Sequence, residues 1–179
     1  MTTTFIRVLF VCSNNFSRSP LAAAVFNALV ESAGVRQYFI ADSAGAFAGQ
    51  EPRPVERRTT EFARRHGIDL SSHRTREVIA GDFGQFDHLM VLDQDAYWFL
   101  KDMEGRVEES KIRRFVEAFG DLSLEEIADP VLGQASFEKT FELIEKGVRH
   151  LLRELIRGHV RDPLEVISKL DPPPSPGKT

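Results

Sequence analysis

Short apolar runs alternate with helical repeats along most of this chain, and that alternation limits its fold more than any other feature of the sequence. Ile6–Val11 is a compact run of β-type residues, the pattern of a strand buried on both faces in a parallel sheet. The chain then turns helical. Ser19-Pro20 reads as N-cap and first helical residue, Leu21, Val25, Phe26 and Leu29 recur at helical spacing, and Gly34 stands where the helix should stop. Tyr38–Ser43 reads as a second strand, Pro54–His66 as a helix ended by Gly67, His88–Leu92 as a third strand and Gln94–Met103 as the helix after it. Lys111–Phe115 is the candidate for a fourth strand. A long amphipathic helix is predicted over Phe137–Ile156, where Phe137, Phe141, Ile144, Val148, Leu151 and Leu155 share one stripe. The alternation predicts an α/β fold: a parallel sheet flanked by helices on both faces, joined by right-handed crossovers.

A chain of 179 residues fits a single domain that buries its own core without disulfides or a structural metal. The domain is expected over residues 1–160. From Arg161 the periodicity stops and five of the nine prolines fall within Pro163–Pro176, so 161–179 reads as a mobile, proline-rich tail. A net charge of −4 gives no global pull toward nucleic acid or an anionic membrane, so neither is an expected partner. No apolar run approaches the roughly 20 residues that span a bilayer, and Met1–Thr4 leads into the first strand without a signal-peptide core. The expected location is the cytoplasm. Nothing in the sequence speaks to oligomeric state.

Cys12 is the only cysteine, so it makes no intrachain disulfide and no multi-cysteine metal site; it is either an inert packed thiol or a working one. His66, His88, His150 and His159 show no metal-ligand spacing with it or with carboxylates, and no metal or cofactor is expected. Position favours the working thiol. In an open α/β sheet, ligands bind beyond the carboxyl ends of strands, where Cys12–Ser19 begins. Backbone N–H groups of Ser13, Asn14, Asn15, Phe16 and Ser17 can curl around an anion there, helped by the following helix N-terminus. The same groups and a nearby arginine favour the thiolate of Cys12. Arg18 supplies a planar fork for two phosphoryl oxygens, and its six-residue offset keeps it on the same loop. Asn15 can tie the loop to itself, and the Ser19 hydroxyl can donate to the sulfur while capping the helix. The bland alternative, a buried structural Cys12 beside a solvated Arg18, leaves Arg18-Ser19-Pro20 unexplained.

Val8-Leu9-Phe10-Val11-Cys12 followed by Asn15 and Arg18-Ser19-Pro20 resembles the low-molecular-weight protein tyrosine phosphatase family. Asp42-Ser43-Ala44-Gly45, Gly67–Arg74, Phe86-Asp87 leading into Val91-Leu92-Asp93, and Asp129-Pro130 with Gly133 resemble further family segments in the family's order, so the likeness spans roughly residues 5–156. It implies a four-stranded parallel sheet, a thiophosphate intermediate on Cys12, Arg18 as clamp and Asp129 as general acid. It also implies a supporting hydrogen-bonded network of Asn15, Ser19, Ser43 and His73. Expelling an alkoxide or phenoxide from phosphate independently asks for such an acid, although Asp129-Pro130 taken alone is an ordinary turn pair.

The chain departs from the family pattern in several places. Asn14 stands where a small residue, most often Gly, is usual, a tolerable change if that position needs positive φ. Ser17 stands where a second cysteine is common. Val131-Leu132 replaces pocket-lining tyrosines, which leaves Phe47 as the candidate aromatic wall. The expected function is hydrolysis of phosphate monoesters carried by a protein or a small molecule. Two alternatives stay open: a phospho-ligand-binding module with little turnover, and arsenate reduction completed by an external thiol. The seven arginines of Arg53–Arg76 read as a solvated helix face, and Tyr97 and Trp98 as packing residues.

Overall fold

A computed structural model describes residues 5–103, 111–120 and 123–170. In chain order these form β1 (Ile6–Cys12), α1 (Arg18–Ala33), β2 (Phe39–Gly45), α2 (Arg57–Arg65), α3 (Asp82–Gln85), β3 (His88–Val91), α4 (Gln94–Met103) and β4 (Ile112–Arg114). A 3-10 helix (Phe115–Phe119), α5 (Phe137–His159) and α6 (Pro163–Ser168) complete the fold. The four strands are parallel in the order β2-β1-β3-β4, so the expected single-domain α/β architecture is what the chain adopts. β1 is central: its residues pair with Phe39–Gly45 on one side and with His88–Val91 on the other. The chain runs one way from β1 to β2 and the other way to β3 and β4. The crevice where it reverses lies at the carboxyl ends of β1 and β3.

The period-2 alternation of β1 builds two cores at once. Ile6, Val8, Phe10 and Cys12 face a cluster with Leu21, Val25 and Phe26 of α1 and Ile144, Val148 and Leu151 of α5. Leu9 and Val11 face the opposite cluster, with Phe83 of α3 and Ala96 and Leu100 of α4. Phe10 anchors the first cluster through edge contacts, with ring centroids 5.9 Å from Phe26 and 5.8 Å from Phe115. Cys12 therefore ends its strand on the α1 side of the sheet, where Ser19 stands.

Several local expectations need correction. α1 starts at Arg18 with Ser17 in the cap position, so Ser19 is already helical and its hydroxyl serves the loop instead of capping. Gly34 does end the helix, in the left-handed region at φ 72°. α2 starts later than Pro54, because Pro54 pairs with Arg74 in an antiparallel bridge and Glu56 caps the helix by accepting from Thr59 N–H. Trp98 is 64% exposed, an edge neighbour of Tyr97 and no core residue. Part of the segment read as tail is ordered: Pro163 opens α6, Leu170 is buried in the α1–α5 cluster, and Arg149 Nη1 donates to its carbonyl. Residues 171–179 of that expectation lie outside the described residues.

Candidate active site

The pairing of β1 with β2 runs out at Cys12 opposite Gly45, and there the loop is held against the neighbouring strand. Ala46 N–H donates to Cys12 O at 3.0 Å and Phe47 N–H to Ser13 O at 2.7 Å. The contact is close enough to require glycine: a Cβ on Gly45 would lie 2.9 Å from Asn15 N and 3.0 Å from Asn14 C. Backbone cannot swing away as a flexible side chain can, so Gly45→Ala should displace the loop. Steady-state kinetics is expected to show a loss of up to about 10²-fold in kcat/KM, with a destabilisation of about 1–3 kcal/mol in thermal unfolding.

The left-handed residue of the loop is Asn15, at φ 53°, and not Asn14. Asparagine tolerates that region, and here its side chain fixes it in place. Asn15 Nδ2 donates to Ser19 Oγ at 3.0 Å and to Ser43 Oγ at 2.9 Å, while Oδ1 accepts from Arg76 N–H at 3.0 Å. His73 Nε2 faces the same Oδ1 at 3.4 Å. Burial, helped by Arg76 and Arg74 and opposed by Asp42 and the Asn15 contact, holds the His73 pKa below its ordinary value, which keeps the ring neutral at neutral pH. Ser19 Oγ sits 3.0 Å from Cys12 Sγ and 3.2 Å from Ala44 O. A hydroxyl has one proton to give, so Ser19 donates either to the sulfur or to the Ala44 carbonyl. The residues expected to support the loop thus meet as one network behind it.

Arg18 is 5% exposed and surrounded by oxygen. Nη1 donates to Ile127 O at 2.9 Å, and Nη2 lies 2.9 Å from Asp93 Oδ2 and 3.0 Å from Asp129 Oδ2. Burial disfavours its charge, but Cys12, Asp93, Asp129 and Glu126 outweigh that and raise the Arg18 pKa above its ordinary value. Its Nε is buried without a hydrogen-bond partner. Asp93 also accepts from Ser13 N–H at 2.8 Å, Ser13 Oγ at 2.9 Å and Ala96 N–H at 2.9 Å, which ties the loop, the guanidinium and the start of α4 together.

Asp129 is held from both sides. Its Oδ1 accepts from Val131 N–H at 2.9 Å, and its own N–H donates to Gln134 Oε1 at 2.9 Å. The carbonyl of Val131 in turn accepts from Arg58 Nη2 at 3.1 Å. The start of α2 also grips the loop between Cys12 and Arg18, since Glu56 N–H donates to Phe16 O and Thr59 Oγ1 to Ser17 Oγ, both at 2.9 Å. Ser17 is thus a buried hydroxyl anchored to α2.

Ser13, Asn14, Arg18, Phe47 and Leu132 line a cleft of about 280 Å³, together with Asp93, Asp95, Glu126 and Gln134. Phe47 and Leu132 are 49% and 67% exposed, and the Phe47 ring leans on Phe99 at 5.0 Å. Asn15, Ser17, Ser19 and Ser43 are buried, while Phe16 and Val131 contribute backbone contacts and are not among the lining residues. Sequence reading missed Asp93, Glu56, Arg58, Thr59, Arg76 and Gln134. Asp93 alone left a signal, an acidic residue between a strand and a helix, where caps occur. No group of three or more His, Cys, Asp or Glu among the described residues is arranged to hold a metal ion.

The sequence model of the family described as low molecular weight phosphotyrosine protein phosphatase matches residues 7–161. The chain belongs to that family. It is 33% identical over 150 residues to the low molecular weight protein-tyrosine-phosphatase YfkJ of Bacillus subtilis, covering 84% of this chain and 96% of the relative. The human low molecular weight phosphotyrosine protein phosphatase is 30% identical over 151 residues, covering 82% and 94%. The crystal structure of YfkJ matches this fold with a TM-score of 0.82 at 32% identity, over 88% of this chain and 99% of that one. The resemblance drawn from the loop, the Asp-Pro pair and the segments between them therefore holds along nearly the whole domain. No helix among the described residues of this family member is long and apolar enough to cross a membrane.

Proposed function

We propose that this protein hydrolyses phosphate monoesters, phosphotyrosine above all, by passing the phosphoryl group through Cys12. One observation carries the reading: among the described residues, the buried side-chain nitrogen or oxygen that lacks a hydrogen-bond partner is Nε of Arg18, a residue that lines the cleft beside the Cys12 loop. Leaving a buried donor unsatisfied costs about 1–3 kcal/mol, more for a charged group, and a phosphoryl oxygen would satisfy it.

In the first step Cys12 Sγ bonds to phosphorus as the bond to the leaving oxygen breaks, and Asp129 gives that oxygen its proton. Arg18 spreads its fork over the phosphoryl oxygens, where charge is held through the transition state. A phosphoryl oxygen that takes over the guanidinium frees Asp129 Oδ2, now 3.0 Å from Arg18, to carry the proton. Water then attacks phosphorus, the S–P bond breaks, Asp129 takes the proton of the water and phosphate leaves. Ser19 donates to the sulfur when it is charged, and Asn15, Ser43 and His73 hold Ser19 and the loop in place.

Phe47 and Leu132 suit the flanks of an aryl ring. An aliphatic Leu132 forgoes the roughly 0.5–1.5 kcal/mol that a second aromatic contact would add, so the margin over alkyl phosphates is several-fold and not absolute. A module that merely binds phosphate needs neither the sulfur beside Ser19 nor the carboxylate beside Arg18, and a thiol relay within the chain needs a second cysteine. We place the reaction on phosphorylated proteins in the cytoplasm, where reducing conditions keep a lone nucleophilic thiol in working form. Rapid quenching during turnover of p-nitrophenyl phosphate, followed by mass spectrometry, is expected to find a phosphoryl group on the peptide bearing Cys12. Turnover with that peptide unmodified, or with the group on another residue, would overturn the proposal.

A further inference from the structure

The charge around the cleft does not suit a phosphate ester alone. Its lining holds three carboxylates, Asp93, Asp95 and Glu126, against one cation, Arg18. That cation is already met by Asp93 at 2.9 Å and by Asp129 at 3.0 Å. On the phosphatase reading the phosphoryl group takes other partners: the unpartnered Nε of Arg18, the N–H groups of the loop after Ser13, whose own N–H donates to Asp93, and the N-terminus of α1. None of these remains to balance the mouth. Asp95, exposed in the first turn of α4, forms no ion pair among the described residues. Glu126 accepts from Gln94 N–H at 3.0 Å through Oε2 and likewise forms no ion pair there. The start of a helix favours one nearby carboxylate for its own stability. That stability does not by itself place Asp95 and Glu126 with Asp93 on the lining of one cleft.

We propose that Asp95 and Glu126 form an acidic lip that selects phosphotyrosyl segments bearing lysine or arginine beside the phosphotyrosine. The inference rests on the phosphatase reading above. An ester with neutral or acidic neighbours meets unbalanced negative charge at the mouth. A neighbouring ammonium or guanidinium is attracted to the lip while the ring lies along Phe47 and Leu132. Pairs at the solvent boundary are individually weak, so the selection is modest and sensitive to salt.

The test compares kcat/KM for phosphotyrosyl peptides that differ only in having lysine, glutamine or glutamate on both sides of the phosphotyrosine. At low salt the lysine peptide is expected to lead the glutamate peptide by about tenfold, and high salt should shrink that lead. In the double variant Asp95→Asn, Glu126→Gln the lead should fall toward unity while inorganic phosphate becomes a tighter inhibitor, because like charge beside the anion is gone. A purely structural role for the two acids would weaken phosphate inhibition instead, and that result would overturn the inference. Hydrolysis of none of the peptides would overturn the phosphatase reading itself. Hydrolysis at rates indifferent to flanking charge, or a lead that survives in the double variant, would overturn only the lip.

Discussion

Cys12→Ser is expected to abolish turnover of p-nitrophenyl phosphate, a fall in kcat of about 10⁴-fold or more, while phosphate binding persists. The hydroxyl fits where the sulfur lies, 3.0 Å from Ser19 Oγ and inside the same buried cluster. It does not ionise there, however, so no nucleophile forms. The groups proposed to hold the anion, namely the loop N–H groups after Ser13, the α1 terminus and Arg18, are untouched. Calorimetry should therefore show inorganic phosphate bound about as tightly as by the natural chain. Arg18→Lys gives the contrasting pattern. It keeps the charge but loses Nε and the fork, so binding and turnover should both fall. Activity in Cys12→Ser within tenfold of the natural chain would end the covalent reading.

How much of this could be read from residue order depends on whether the deciding interaction is local. β1, the loop and α1 were legible because the strand signal, the Cys12-to-Arg18 offset and the Gly34 stop all fall within one short stretch. Even there, the residue that takes positive φ could not be told from residue order, and it is Asn15 and not Asn14. Asn15 takes the left-handed conformation because its amide is gripped by Ser19, Ser43 and Arg76, two of which come from elsewhere in the chain. Asp93 reaches Arg18 only because β3 pairs with β1, and Arg58 reaches Val131 only because α2 begins beside the loop that carries Asp129. Neither contact has a sequence spacing to betray it. Asp129 was found through family likeness alone, since an Asp-Pro pair looks the same in a turn and in an active site. α3 and α6 were missed for another reason: four and six residues are too few to show a helical period. Trp98 reads as a packing residue by its chemistry, yet its turn of α4 faces outward and leaves it 64% exposed.

Asp129→Asn should separate the two chemical steps. The substitution preserves shape: the amide oxygen can still accept from Val131 N–H, now 2.9 Å from Oδ1, and the backbone bond to Gln134 is unaffected. The ability to give and take a proton is lost. For phenyl or alkyl phosphates, whose leaving oxygens need that proton, kcat/KM should fall by about 10²–10⁴-fold. For p-nitrophenyl phosphate the leaving group is stable as an anion, so formation of the cysteinyl phosphate should slow far less. Its breakdown by water still calls on the carboxylate as base. The phosphoryl enzyme should therefore accumulate, and stopped-flow absorbance should record a burst of nitrophenol close to one per active site, followed by slow turnover. The salt bridge adds a further expectation. Oδ2 shares Arg18 Nη2 with Asp93, and a neutral amide competes less for the guanidinium than a carboxylate does, so phosphate should bind the variant somewhat more tightly. Equal losses for phenyl and nitrophenyl phosphates, with no burst, would remove Asp129 from both steps and leave its contact with Arg18 as a structural pair.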